Sequence, residues 1–238
     1  MINIKNVTKT YNGSHKAVDD VSIQINSGEI VGFIGPNGAG KTTTIKMLTG
    51  ILAPDSGSIT LNDLNIREQP IEAKQQFGYV SDDPNAFLKL KGIEYLNFIA
   101  DIYNINETDR QQRIQNYTHL LGMEQALNDK LLSYSHGMRQ KIMVIGVLLH
   151  NPYLLILDEP LTGLDPQSSY ILKEAMREHA QHGGAVFFST HVLEVAEKLC
   201  DKVVIINHGK IVYTGTLESL KSNYNQLSLE EIFLELTK

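Results

Sequence analysis

The segment Gly35-Pro36-Asn37-Gly38-Ala39-Gly40-Lys41-Thr42 constrains this chain more than any other stretch. It fits the spacing G-x-x-x-x-G-K-[ST]. Before it lies a mainly apolar run, Glu29 to Ile34, which reads as a buried strand; after it, residues 42–51 place Ile45 and Leu48 at helical spacing. The predicted unit is strand, glycine loop, helix. Glycines let consecutive backbone N–H groups turn toward an anion, and the helix N-terminus adds positive potential. Lys41 would then reach the β- and γ-phosphates of a nucleotide, and the Thr42 hydroxyl would ligate Mg²⁺. Thr43 extends the candidate loop. The bland alternative is a glycine turn with no ligand, and the presence of both flanking elements argues against it.

A second constellation is Leu154-Leu155-Ile156-Leu157-Asp158-Glu159, four apolar residues followed by two acids. A buried parallel strand ends there, and ligand crevices in open α/β sheets lie at carboxyl ends of strands. Asp158 would sit beside the Mg²⁺ on Thr42, and Glu159 would face the γ-phosphate and orient or deprotonate water.

Composition excludes several other classes. The balance of 21 Lys+Arg against 27 Asp+Glu gives a net charge of −6, which argues against nucleic acid as a partner. The single cysteine, Cys200, excludes an internal disulfide and a cysteine-based metal site. The longest apolar stretch, Ile142 to Leu149, is far short of the ~20 residues that span a bilayer. The first residues lack the apolar core of a signal peptide, so the chain is expected to be soluble and cytoplasmic.

Strands are predicted at 2–7, 21–25, 58–61, 77–80, 153–157, 185–189, 203–207 and 211–213. Asn207-His208-Gly209-Lys210 reads as the hairpin turn joining the last two. Helices are predicted from Ile93 to Ala100, from Pro166 behind an Asp165 cap, near 192–199, and over 229–236. From Asp83 to His150 the pattern is helical with a polar stretch around 106–116, so an α/β chain carries a helical insertion.

With Tyr134-Ser135-His136-Gly137-Met138-Arg139-Gln140 ahead of the acidic strand, nearly the whole chain resembles the ATP-binding subunit of a bacterial ABC transporter. The resemblance implies an α/β P-loop fold of the ABC type, a RecA-like core sheet with an N-terminal antiparallel β subdomain and an inserted helical subdomain. It implies one ABC domain over 1–238, with 1–82 and 151–238 as core and 83–150 as helical subdomain. The seven-residue run looks like the family signature, in which Ser135 and Gly137 would meet the γ-phosphate of ATP held by a second subunit. Taken alone, the run reads as a Ser-capped helix.

Further features are similar to those of the family. Tyr11 is placed like the aromatic that stacks on adenine, with Val18 beside it. Leu164-Asp165 resembles the loop at the dimer interface, and His191 the switch histidine on the γ-phosphate. Gly78-Tyr79-Val80-Ser81-Asp82 resembles the loop that normally carries a glutamine near Mg²⁺, with Asp82 in that place. His136 stands for a glycine of the signature, and Met138 for its last glutamine.

The resemblance therefore implies an ATPase using ATP and Mg²⁺. It would work as a homodimer or heterodimer with a transmembrane permease at the cytoplasmic face of the membrane. The loop after Asp82, with Phe87 and Leu88 expected to be exposed, is a candidate for receiving the permease, and the 228–236 tail looks like that of ABC-2-type exporters. ABC ATPases of iron–sulfur assembly, translation or DNA repair are alternatives. One motif set and the short Lys41–Asp158 spacing count against the last two. A GTPase would need an Asn-Lys-x-Asp run, which the chain lacks.

Overall fold

Two hydrophobic patterns build two sheets in the computed structural model, which describes residues 1–224 and 227–238. Alternating stretches form β1 (Ile2–Tyr11) and β2 (His15–Ile25). The apolar run forms β3 (Ile30–Ile34), and α1 (Lys41–Leu48) follows the glycine loop. Next come β4 (Ser56–Leu61), β5 (Leu64–Asn65), α2 (Pro70–Lys74) and β6 (Phe77–Val80). The insertion contributes α3 (Gly92–Ile102), α4 (Glu107–Leu120) and α5 (His136–Leu149). The chain returns through β7 (Leu154–Leu157), α6 (Pro166–Gln181), β8 (Ala185–Thr190) and α7 (Leu193–Leu199). It closes with β9 (Lys202–Asn207), β10 (Lys210–Gly215), α8 (Leu217–Asn223) and α9 (Leu229–Leu236).

One sheet has the order β2-β1-β4-β5 and is antiparallel; the other has the order β10-β9-β3-β8-β7-β6 and is parallel except for β10. The central strands β3, β7 and β8 are buried along their whole length, as strands covered on both faces must be. In the larger sheet β3, β8, β7 and β6 are consecutive neighbours, so their carboxyl ends open side by side. That adjacency positions the site.

Several elements depart from the sequence expectation. The polar stretch at 106–116 is helical: Asn106 caps α4 by accepting from the Asp109 N–H, and Gln111 bonds Glu107 at i,i+4. Only Ile114 and Thr118 of that helix are buried, so it carries almost no apolar stripe to read. The strands β1 and β2 run on to Tyr11 and back to His15, through irregularities at Asn6 and Asp20, both at positive φ. The short elements β5 and α2 were not expected from the pattern at all. The hairpin at Asn207–Lys210 is present, with His208 and Gly209 both at positive φ as a type I′ turn requires.

Helices α3 and α5 end against each other through Tyr103 and His150, whose rings stack in parallel at 3.6 Å. Burial, and secondarily the charge of Arg113, pushes the His150 imidazole down to about 4. The folded chain thus keeps His150 neutral between about pH 4 and 6.5, where the unfolded chain protonates it. The unfolded state binds more protons in that window, so stability should fall as pH drops through it. A cost of about 2 kcal/mol is expected, after allowance for partial solvent access. His150→Phe, which keeps a stacking ring without a titratable nitrogen, should flatten that part of a denaturation-versus-pH curve. Equal slopes for both proteins would remove His150 as the source.

Candidate active site

The glycine loop leaves β3 and enters α1 with Gly40 as the N-cap, at φ 110. A Cβ there would stand 2.4 Å from the Ala17 carbonyl oxygen, so only glycine lets the loop pass beneath β2. Among the described residues no side chain caps α1, and its first turn holds no acid. Its first N–H groups and the positive end of its dipole are therefore available to an anion. The Lys41 ammonium donates to the carbonyls of Gly35, at 2.7 Å, and Pro36, at 3.2 Å. Burial pulls the Lys41 pKa down, and the acids Glu159 and Asp158 act against that.

A cleft of about 220 Å³ opens over this loop, floored by Asn37, Gly38, Gly40, Lys41, Thr42 and Thr43. Its walls include Ala17, Asp82 and Glu159. Gly35, Pro36 and Ala39 lie beneath; Ala39 is buried and its carbonyl accepts from Gly209 N–H.

Asp158 directly follows β7 and is fully buried. One carboxylate oxygen accepts from the Ser189 hydroxyl at the end of β8, while the other has no partner among the described residues. Burial raises its pKa, the nearby charges of Asp82 and Glu159 add to that, and the hydroxyls of Ser189 and Thr42 oppose it. A buried carboxylate with a free oxygen beside a hydroxyl and a second acid fits a divalent cation. Among the described residues no group of three or more His, Cys, Asp or Glu could hold a metal alone. Mg²⁺ characteristically takes one or two carboxylates together with substrate phosphates, and Thr42, Asp158 and Asp82 offer that set.

Glu159 adopts φ 49, an unusual backbone for a residue with a side chain. Its N–H donates to Ser189 Oγ at 2.9 Å, and its carboxylate meets Nδ1 of His191 at 2.9 Å. Strands β7 and β8 thus bring Asp158, Glu159 and His191 together across one hydroxyl, Ser189. Ser189 carried no motif in the sequence; only its place at a strand end could have singled it out.

Other expected residues stand elsewhere. Tyr11 is exposed at the far end of β1 and does not line the cleft. Val18 is fully buried in the core, and Ala17 faces the cleft in its place. The reason is a bulge: Val7 pairs Val21 and Lys9 pairs Val18, two residues of β1 against three of β2. The extra residue flips the side-chain alternation, turning Val18 inward. Leu88, expected to be exposed, is half-buried against the helices, whereas Phe87 is exposed and packs on Tyr95 and Phe98. Ser135 and Gly137 start α5, where Ser135 Oγ accepts from Met138 N–H at 3.2 Å. Neither lines the cleft.

A family model described as "ABC transporter" matches residues 18–162. The ABC transporter ATP-binding protein NatA of Bacillus subtilis is 36% identical over 220 residues, covering 92% of this chain and 89% of that protein. A solved structure of an ATP-binding subunit of an ABC transporter superimposes with a TM-score of 0.95 at 33% identity, each chain covered in full. A dimeric ATP-binding cassette bound to ADP and Pi shares the fold, with a TM-score of 0.82 at 23% identity, over 91% of this chain and 99% of that one.

Proposed function

Because the chain belongs to the ABC transporter family, as an ATP-binding subunit and ATPase, we propose that it pairs around two Mg-ATP and drives export through a separate membrane permease. The observation that supports pairing is the incompleteness of the single chain: its cleft has a phosphate floor, a cation corner and a water-facing acid, yet Ser135 and Gly137 stand outside it. A second copy, or a related chain, would bring its own Ser135 and Gly137 over the ATP. The dipole of α5 would then add positive potential at the γ-phosphate.

Within the closed site Lys41 leaves the Gly35 and Pro36 carbonyls for the phosphates, and α1 offers its N–H groups. Thr42 and Asp158 would hold Mg²⁺, with Asp82 as a further acid. When bound, that ion neutralises charge on the β- and γ-phosphate oxygens. Glu159 takes a proton from the attacking water, and His191 orients the carboxylate through Nδ1 and reaches the γ-phosphate. Tyr11 would stack on adenine from the end of β1, with Ala17 rather than Val18 beneath it.

Asp82 places a charge close to Asp158, and two carboxylates without a cation repel. Asp82→Asn should therefore raise the Mg²⁺ needed for half-maximal ATPase rate about threefold, on the order of 0.7 kcal/mol. Tighter ATP binding at an unchanged Mg²⁺ requirement would show a repulsive neighbour instead.

Among the described residues no helix is long and apolar enough to cross a membrane. The exposed apolar residues Phe87, Phe98 and Ile102 lie together after the Asp82 loop and on α3, and support this face as the permease contact. Phe98→Asp should move the chain from the membrane to the soluble fraction of cells producing both subunits, with the ATPase rate of the isolated chain unchanged. Retention at the membrane would place the contact elsewhere.

A further inference from the structure

His136 is the signature residue that departs most in size from the glycine the family carries there, and the fold gives its ring a seat. Four residues on one face of α5, His136, Gly137, Gln140 and Lys141, meet the loop 160–165 that follows Glu159. Lys141 Nζ pairs with Asp165 Oδ2 at 2.9 Å. Gln140, 1% exposed, donates from Nε2 to the Pro160 carbonyl at 3.5 Å. A Cβ on Gly137 would stand 2.6 Å from the Gly163 carbonyl oxygen. A Cβ on Gly163 would in turn stand 2.5 Å from His136 Cδ2 and 3.2 Å from its Nε2. His136 and Gly163 are both exposed, and at this surface the imidazole lies where a side chain at 163 would stand, with Gly163 at φ 78 leaving the place open. At its other end the loop is tied to the catalytic strand, with Thr162 N–H donating to the Glu159 carbonyl at 3.1 Å.

We infer that His136 is a positioning residue whose ring, seated in the socket of Gly163, carries the placement of the signature turn to the loop that holds Glu159. The inference rests on the pairing proposed above. There, ATP bound by one chain is met by Ser135 and Gly137 of the other. The socket then links that contact to the second chain's own Glu159, which serves the second ATP. Each site reports its occupancy to the other through a steric contact. A glycine at 136 would leave the socket empty, with the outer contacts at Gln140 and Lys141 intact.

The test is steady-state ATPase of the full chain against ATP concentration, together with sedimentation of each variant in a Glu159→Gln background. Wild type should show a Hill coefficient above 1. His136→Gly should lower kcat about fivefold and bring the Hill coefficient to about 1. It should still dimerise with ATP in the Glu159→Gln background. His136→Phe, a ring without titratable nitrogens, should keep wild-type cooperativity. Gly163→Ala, whose methyl group would displace the ring at a φ that strains any side chain, should fail as His136→Gly does, and adding His136→Gly to it should bring no recovery, since the ring contact is lost in both. Unchanged kinetics in His136→Gly overturn the inference. So does His136→Phe failing alongside it, a wild-type Hill coefficient of 1, or loss of the ATP-driven dimer in His136→Gly. A Glu159→Gln parent that stays monomeric with ATP removes the pairing, and this relay with it. A parent that dimerises while His136→Gly behaves as wild type removes the relay alone.

Discussion

Glu159→Gln should hold ATP as tightly as the unaltered chain while turnover falls about 10³-fold. The substitution changes one oxygen of a side chain that, among the described residues, makes no hydrogen bond or ion pair with the glycine loop, so ground-state binding is left to Lys41 and α1. An amide can still meet His191 Nδ1 and occupies the same volume, so the positive-φ backbone at 159 faces no new demand. What disappears is a base able to take the proton of water, an interaction made in the transition state. Nucleotide affinity by calorimetry and turnover by phosphate release separate the two effects. Turnover within a few-fold of wild type would take Glu159 out of its role.

Lys41→Ala should have the opposite signature, with ATP bound about 150-fold more weakly, or about 3 kcal/mol. The ammonium is the cation at the floor of a cleft whose walls carry Asp82 and Glu159, with Asp158 buried behind them. Removing it leaves the phosphates facing acids alone at the walls of the cleft. The loss should appear in the dissociation constant measured with a non-hydrolysable nucleotide. Wild-type affinity would show that the α1 N–H groups suffice.

The strand–loop–helix around Lys41 was legible because three independent signals coincide: an apolar run, glycines at fixed spacing, and helical periodicity. The acids at the end of β7 were legible for the same reason, a buried strand ending in charge. Helix α4 was not, because caps and i,i+4 pairs stabilise it without an apolar stripe. Ala17 was missed because the β2 bulge shifts the inward set by one residue, and local alternation carries no mark of a bulge. The adjacency of Asp158, Glu159 and His191 depends on strand order β8-β7, which spacing along the chain does not encode. The signature was visible only through resemblance, because a capped helix start is all that Ser135 and Gly137 present in one chain.

In the proposed pair one chain holds the ATP floor and another supplies the cover. Sedimentation velocity of Glu159→Gln, with and without Mg-ATP, tests it most directly. A monomer is expected without nucleotide and a dimer with it, the dimer vanishing when Ser135→Arg is added, since a long side chain at that helix start would block approach to the phosphate. A chain that remains monomeric with saturating Mg-ATP at high concentration, or a dimer indifferent to Ser135→Arg, would contradict it.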